Sequence, residues 1–295
     1  EYTRNMATGA STADVAIILV DAEQGILTQT RRHSFIVSMV GVKHVLLAIN
    51  KLDLVNYSED VYDKIVSEYQ DFAKNALNVE SITSIPISAL IGDNVVEKSQ
   101  NTPWYKGQTI IEYLEKIEIL NKKINQSFRM PVQWVNRPNS NFRGFSGLIS
   151  SGEINSGDKV RILPGGQTSL IKNIVTFDGD LANAKAGQSV TIMLEDEIDV
   201  SRGDIITISE DPCGEADQFQ AHILWMNDDA MIPGRQYLLK SNSQSAILTL
   251  GRLKHRIDVN TLDHLPAKTL ALNEIGVCNI SLDKRIAFAS YDKNQ

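Results

Sequence analysis

The stretch VLLAINKLD, residues 45–53, decides the fold of the first part of this 295-residue chain. Its first five residues are all apolar, a pattern typical of a strand buried on both faces of a parallel sheet. Polar residues follow immediately, at the carboxyl end of that strand. Because the ligands of open α/β sheets bind beyond the carboxyl ends of the strands, the tetrad N-K-L-D at residues 50–53 is predicted to lie at a binding site.

The pattern N-K-x-D suits the recognition of a guanine base. The Asp53 carboxylate can accept two hydrogen bonds, from the N1–H and from the 2-amino group of guanine, whereas adenine offers no such pair of donors and would leave the carboxylate unpaired. The Asn50 amide can hold the O6/N7 side of the base or pin a neighbouring loop, and the Lys51 stem can lie against the ring. Taken alone, the tetrad also fits a strand end followed by a helix cap.

A second motif, S-A-L, begins thirty-five residues after Asp53 and favours guanine. It follows a predicted strand at residues 82–87, which again leads into a short loop, and S-A-L commonly accompanies N-K-x-D. The backbone N–H of Ala89 would donate to guanine O6, and the Ser88 hydroxyl would brace Asp53. The predicted nucleotide-binding residues are therefore Asn50, Lys51, Asp53, Ser88, Ala89 and Leu90; no catalytic or metal-ligating residue is predicted.

Apolar periodicity divides the chain into an α/β part and two β-rich parts. Up to about residue 122, strands and helices are predicted to alternate, which indicates a parallel sheet with helices on both faces. The strands are expected at residues 14–21, 45–49 and 82–87, and the helices at residues 28–40, 60–77 and 109–115. From about Phe128, short runs between glycines predict a small antiparallel barrel. A linker at residues 211–214 then leads to a second all-β segment, which starts at about Gln218.

Composition limits the class of function. A net charge of -7 argues against broad nucleic-acid binding, because no basic surface of domain size is available to neutralise phosphates. Cys213 and Cys278 lack metal-ligand spacing, which favours two reduced thiols and no zinc site in a cytoplasmic protein. The longest apolar runs have the length of strands, so no transmembrane span is predicted. The aromatics of the loop at residues 92–107 either pack it onto the surface or contact a partner.

Five further stretches carry a family resemblance: YTRNMATGAS at residues 2–11, DAEQG at 21–25, TQTRRH at 28–33, LNEIG at 272–276 and IAFASY at 286–291. With the two motifs, they resemble the translational GTPases and, within them, the large GTPase subunit of bacterial sulfate adenylyltransferase. The first stretch looks like the helix that follows the switch II motif of that family. The second Arg of TQTRRH, followed by His, is most similar to the sulfate-activating branch, and the last two stretches look like its third domain.

The resemblance implies a multi-domain fold. An α/β P-loop GTPase-type domain would occupy residues 1–126, a translation-factor-like antiparallel β-barrel residues 127–213, and a further β-barrel residues 214–295. No G-x-x-x-x-G-K-[ST] sequence occurs among the 295 residues, so the first domain is expected to be incomplete and to lack the P-loop. We expect a piece of a larger subunit, truncated at both ends and inactive by itself. GTP and Mg²⁺ are expected in the intact parent, with no cofactor bound to this fragment.

The same resemblance implies a role in sulfate assimilation and cysteine biosynthesis. The parent would couple GTP hydrolysis to the formation of adenosine 5′-phosphosulfate and pyrophosphate from ATP and sulfate. Its partner would be the small adenylyltransferase subunit, with neither nucleic acid nor membrane involved. One alternative is an elongation-factor-type GTPase that delivers aminoacyl-tRNA, and another is an inert domain with a degenerate nucleotide site. The stretches at 28–33 and 272–276 favour sulfate activation, and the intact Asn50, Asp53 and Ser88 argue against degeneracy.

Overall fold

The computed structural model describes residues 3–118, 124–139 and 142–289. Two of the stretches that carry the family resemblance, at residues 2–11 and 286–291, extend beyond these ranges, at Tyr2 and at Ser290-Tyr291. In chain order, the described strands form one parallel sheet, followed by antiparallel sheets. This order agrees with the predicted change from an α/β part to β-rich parts.

Among its described residues, the α/β part contains three parallel strands and four α-helices. The strands, paired in chain order, are β1 (Val15–Asp21), β2 (His44–Asn50) and β3 (Ser81–Pro86). The helices are α1 (Thr3–Ala10), α2 (Thr28–Met39), α3 (Glu59–Ala76) and α4 (Ile110–Lys116). The predicted strands and helices are all present, with ends that differ from the prediction by one residue at most. A 3-10 helix, Leu52–Val55, directly follows β2 and was not predicted.

Strand β2 lies at the centre of this sheet and is buried on both faces. Leu47 and Ile49 belong to an apolar cluster with Tyr69 of α3, which also receives residues of α2. Leu46 and Ala48 point to the other face, where α4 covers them. The continuous apolar run in the sequence therefore follows from helices on both sides of the strand, and each buried Val, Leu or Ile of the run contributes about 1.5–3 kcal/mol of transfer free energy.

Side-chain caps explain where α3 and α4 begin. Ser58 Oγ accepts a hydrogen bond from Val61 N at 3.4 Å at the start of α3. Thr109 and Glu112 form a reciprocal capping box at the start of α4, with both bonds at 3.2 Å. Within the described ranges, no helix is both long and apolar enough to cross a membrane.

The middle part of the chain folds into antiparallel strands, as predicted. The strands are β4 (Arg129–Pro131), β5 (Trp134–Asn139), β6 (Phe142–Leu148), β7 (Glu153–Asn155), β8 (Lys159–Leu163), β9 (Thr168–Thr176), β10 (Gly179–Leu181), β11 (Asn183–Lys185), β12 (Ser189–Leu194) and β13 (Ile205–Ile208). The main sheet has the order β4-β13-β8-β9-β12-β6-β5, with β10 beside β9, and β7 pairs with β11. Inward-facing residues such as Phe145, Ile154 and Ile192 form one buried core.

The last part forms a five-stranded antiparallel sheet. Its strands are β14 (Gly214–Leu224), β15 (Gln236–Ser241), β16 (Gln244–Ile257), β17 (His264–Leu265) and β18 (Ile275–Phe288), in the order β14-β18-β16-β15 with β17 beside β16. The predicted linker at residues 211–214 is shorter than expected. Strand β14 already begins at Gly214, because Gly214 and Glu215 pair with Phe288 and Ala287 at the far end of the chain.

Helices α1 and α2 pack against this last sheet. Ala7 of α1 and Ile36 of α2 share a buried apolar cluster with Val277 of β18. The Arg4 guanidinium donates a hydrogen bond to the carbonyl of Met226, which follows β14. The α/β part and the last sheet are therefore joined by a continuous apolar contact with a polar contact beside it.

Replacing Leu46 by Ala is expected to destabilise the chain by about 2–5 kcal/mol, because the substitution leaves a cavity between β2 and α4. The matched control is Leu54→Ala, since the side chain of Leu54 is 54% exposed. That control should change the free energy of unfolding by less than about 1 kcal/mol. Urea denaturation followed by circular dichroism measures both, and equal effects would contradict burial of β2 on its α4 face.

Candidate functional site

The two predicted motifs meet at one edge of the parallel sheet. Since β2 and β3 are adjacent and parallel, their carboxyl ends lie side by side. The N-K-x-D turn (residues 50–57) follows β2, and the S-A-L loop (residues 88–107) begins after β3. Two backbone hydrogen bonds extend the pairing past the strands: Ile87 N donates to Ile49 O at 2.8 Å, and Leu52 N donates to Ile87 O at 3.2 Å.

Asn50 fastens the turn and the loop to each other. Its Oδ1 accepts from the backbone N–H of Lys51 at 2.8 Å and from the backbone N–H of Ala89 at 2.9 Å. Only the oxygen of an amide can accept, so these bonds also orient the group and leave Nδ2 with its two donors for other partners. Of the two predicted uses of Asn50, pinning the neighbouring loop is confirmed, and holding the O6/N7 side of the base stays a prediction. The Ala89 N–H, predicted to donate to guanine O6, is already paired within the chain.

Lys51 reaches across the edge of the sheet to β1. Its backbone is left-handed, with φ at 63°, and its Nζ donates to Asp21 Oδ2 at 2.6 Å. This hydrogen bond holds the pKa of the Asp21 carboxyl below its ordinary value and raises the pKa of the Lys51 amine. The lysine stem is thereby held across the strand ends. Sequence reasoning missed Asp21 as a site residue, although its position at the end of a buried strand is a signal for it.

Asp53 and Ser88 contain buried oxygens without a partner. Neither Asp53 Oδ1 nor Ser88 Oγ has a hydrogen-bond partner among the described residues. The predicted brace from Ser88 to Asp53 is therefore wrong. Ser88 is fixed within its own loop instead, because its N–H donates to Asp93 O at 3.3 Å and its carbonyl accepts from Gly92 N at 2.7 Å. A buried acceptor is costly to leave without a donor, so Asp53 suits a ligand that brings an N–H.

The two leucines of the motifs lie in opposite environments. Leu52 is fully buried and packs in the core beneath the turn. Leu90, which was predicted to belong to the nucleotide site, is 89% exposed. Leu52 therefore anchors the turn to the sheet, whereas the side chain of Leu90 lies in solvent at the edge of the site.

The S-A-L loop is organised around a buried amide. Asn94 donates from Nδ2 to the carbonyl of Pro86 at 2.8 Å and to Thr102 Oγ1 at 2.9 Å. Its Oδ1 accepts from Ser99 N at 2.8 Å. Because this amide satisfies both ends of the loop, it makes a long irregular segment a defined structure.

The aromatic side chains of the same loop pack on α3. The Trp104 ring lies 5.2 Å from the ring of Tyr62, and its Nε1 donates to the Tyr57 carbonyl at 3.0 Å. Tyr105 contacts Tyr62 edge-on at 6.2 Å, and burial raises the pKa of Tyr105 to about 12. Of the two predicted roles of these aromatics, packing is the one formed, and a partner contact stays a prediction.

Outside this edge of the sheet, the described residues include two cysteines and a pair of stacked histidines. No group of three or more His, Cys, Asp or Glu side chains is placed among the described residues to hold a metal ion. Cys213 and Cys278 are free thiols whose pKa values are raised by burial. His255 stacks on His264 with ring centroids 3.9 Å apart. At the edge formed by β2 and β3, the polar groups of the N-K-x-D turn and the S-A-L loop lie together, and these groups are suited to recognise a base.

Two family models match the chain. Residues 1–133 match the Elongation factor Tu GTP binding domain. Residues 218–295 match the GTP-eEF1A C-terminal domain-like model. The first match contains the parallel sheet and both motifs of the site.

Several proteins are similar over the full length of this chain. Bifunctional enzyme NodQ of Rhizobium meliloti (strain 1021) is 50% identical over 295 residues, which are 46% of that protein. Sulfate adenylyltransferase subunit 1 of Saccharophagus degradans is 48% identical, and that of Aliarcobacter butzleri is 49% identical. In these two proteins the match covers 62% and 63% of the relative. The chain thus spans about half to under two thirds of the length of these relatives.

A solved structure shares the fold. The crystal structure of Sup35 complexed with GDP superposes with a TM-score of 0.55 at 23% sequence identity, covering 98% of this chain and 75% of that chain. At this identity the likeness concerns the fold alone. Together with the family models, it shows an elongation-factor-Tu-like GTPase domain and a C-terminal barrel-type domain, in agreement with the outline predicted from the sequence.

Replacing Asn50 by Ala is expected to speed hydrogen exchange at the Ala89 amide by up to about tenfold, because the amide loses its acceptor. Amide exchange followed by NMR measures this rate residue by residue. The matched control is Asn75→Ala, which removes an amide that donates to the Asp71 carbonyl on α3. Unchanged exchange at Ala89 in the Asn50 variant would contradict the joint between the turn and the loop.

Proposed function

Since the chain belongs to the translation-factor GTPases, in the family of sulfate adenylyltransferase subunit 1, we propose that the protein carrying it is the GTPase subunit of a sulfate adenylyltransferase. It would couple GTP hydrolysis to the formation of adenosine 5′-phosphosulfate and pyrophosphate from ATP and sulfate. The observation that carries this proposal is the 48% and 49% identity, over all 295 residues, to two proteins named Sulfate adenylyltransferase subunit 1. The elongation-factor alternative is not better supported: the two matching family models each describe a single domain, whereas these two relatives match over all 295 residues.

Four of the motif residues have a proposed role toward guanine. Asp53 Oδ1, buried and without a donor in the described residues, would accept from the base N1–H, with the 2-amino group on the same carboxylate. Asn50 Nδ2 would donate to N7, because Oδ1 is committed to the turn and the loop. Ala89 N–H would share its hydrogen between Asn50 and guanine O6. The Lys51 stem, held by Asp21, would lie against the ring.

The residues of the site fit the guanine base of GTP. GTP would supply a phosphoanhydride whose hydrolysis releases free energy. The 295 residues contain no G-x-x-x-x-G-K-[ST] sequence that would cradle the phosphates, and we assign no phosphate or Mg²⁺ contact to them. The work of these residues is therefore to select the guanine base and hold it at the edge of the sheet.

The three groups of strands suggest three domains, at residues 1–126, 127–213 and 214–295. The contact of α1 and α2 with the last sheet would link the first domain to the third. Ala7 lies in the helix that resembles the segment after switch II, and it packs in one cluster with Val277. A movement of that helix would act directly on β18. We propose this contact as the route by which the nucleotide state reaches the rest of the protein.

The proposed partner is a small adenylyltransferase subunit, which would carry the ATP and sulfate chemistry, in the cytoplasm. Relatives named subunit 1 support a second subunit. The net charge of -7 supports a partner other than nucleic acid.

Stimulated hydrolysis tests this proposal. GTP hydrolysis by the full-length protein is expected to rise when ATP, sulfate and the small subunit are all present, because the coupled reaction draws on it. Omitting sulfate is the control. Stimulation by ribosomes, together with indifference to sulfate and the small subunit, would replace the proposal with a translation function.

Replacing Asp53 by Asn should weaken GTP binding by about ten- to a hundredfold, because the carboxylate acceptor of two N–H groups becomes an amide. The amide can pair with the 2-oxo group of xanthine, so binding of XTP should improve. Competition between GTP and XTP in the full-length protein measures the change. Asp60→Asn, at an exposed position in the first turn of α3, is the matched control and should leave the preference for GTP unchanged.

A further inference from the structure

We propose that Tyr57 is a positioning residue for guanine: its hydroxyl, through Asp93, sets where the S-A-L loop lies relative to the N-K-x-D turn. The inference rests on the proposed guanine-binding function and assigns part of its specificity to a residue outside both motifs. The inference also rests on the hydrogen bond from Tyr57 Oη to Asp93 Oδ2, which is 2.9 Å long and joins residues 36 positions apart in the chain.

Tyr57 is held at the end of the turn by its backbone as well as by its side chain. Its N–H donates to the Leu52 carbonyl at 2.9 Å, and its carbonyl accepts from Trp104 Nε1 at 3.0 Å. Tyr57 and the preceding Asn56 both have φ at 54°, in the left-handed region that residues other than glycine seldom adopt. A strained conformation persists where the surroundings determine it, so the turn is fixed in shape up to the Tyr57 hydroxyl.

Asp93 carries that fixed position into the loop. Its backbone carbonyl accepts from Ser88 N at 3.3 Å, which closes the turn that contains Ala89. Its carboxylate also accepts from Ser99 Oγ at 2.6 Å and from Asn101 Nδ2 at 3.3 Å. One residue therefore joins the first turn of the loop, the middle of the loop and Tyr57.

The bond is one between a charged acceptor and a neutral donor. Burial would raise the pKa of Asp93, but the hydrogen bonds from Ser99, Tyr57 and Asn101 hold it below its ordinary value. Burial and the carboxylate together raise the pKa of Tyr57. The phenol therefore remains a donor and the carboxylate an acceptor across the neutral range. Such charge-assisted bonds are short and directional, as a positioning contact requires.

Loss of the Tyr57 hydroxyl is predicted to weaken recognition of only one side of the guanine base. Asp53 lies within the turn and reads the N1–H and 2-amino side, and removing the Tyr57 hydroxyl leaves that part of the turn in place. Ala89 lies in the loop and reads position 6. A displaced loop should therefore weaken recognition of O6 and leave recognition of the 2-amino group unchanged.

The test uses Tyr57→Phe in the full-length protein, with GDP, 6-thio-GDP and IDP as the probes. The substitution keeps the ring, which packs in the core of the first sheet, and removes only the hydroxyl. GDP affinity should fall by about two- to tenfold, the effect of one hydrogen bond. The preference for GDP over 6-thio-GDP should narrow, because sulfur at position 6 is the poorer acceptor, while the preference for GDP over IDP stays constant. Tyr105→Phe, which removes a hydroxyl bonded to the Gln108 carbonyl, is the control and should change neither ratio.

A double-mutant cycle separates positioning from general damage. Asp93→Ala should also narrow the preference for GDP over 6-thio-GDP, and adding Tyr57→Phe to it should have no further effect, because both act through one bond. Equal losses for GDP and 6-thio-GDP in Tyr57→Phe, or no loss at all, would overturn the inference while guanine binding stands. Failure of the unaltered protein to prefer GDP over ADP would overturn the proposed guanine site and the inference with it.

Discussion

The hydrogen bond from the Ala89 N–H to Asn50 Oδ1, 2.9 Å long, is the contact on which the site depends. It joins residues 39 positions apart at the ends of two adjacent parallel strands. Because Asn50 also accepts from Lys51, one amide oxygen fixes the start of the turn and the start of the loop together. Asp53 and Ser88 then lie at the same edge, where their buried oxygens have no partner among the described residues.

This edge is supported from below by strand β2, which is buried on both faces. Strand β2 packs against α2 and α3 on one face and α4 on the other, and Leu52 continues that core beneath the turn. The same helix α2 also contacts the last sheet through Ile36, beside Ala7 of α1. The proposed base site and the contact between distant parts of the chain therefore rest on one set of packed elements, and a change in α1 or α2 would reach both.

Sequence patterns predicted the elements of the α/β part and the sheet edge where the two motifs meet, because these follow from local periodicity and from motifs next to strand ends. The run at residues 45–49 predicted a strand buried on both faces, and the structure confirms it. The contacts of Lys51 with Asp21 and of Tyr57 with Asp93 were missed, since partners 30 and 36 residues apart leave no periodic signal. The predicted brace from Ser88 to Asp53 was wrong, because Ser88 Oγ has no hydrogen-bond partner among the described residues. The early start of β14 depends on pairing with the far end of the chain, which local patterns do not contain.

Calorimetric titration of the full-length protein with GDP and ADP tests the central claim, that this edge of the sheet selects guanine. The two nucleotides carry the same phosphates, so the difference in their dissociation constants isolates the base. The account predicts that GDP binds at least about a hundredfold more tightly than ADP. Adenine has no N1–H to donate to Asp53, and at position 6 it places a donor amino group opposite the Ala89 N–H, which is also a donor. Equal affinity for GDP and ADP would contradict it.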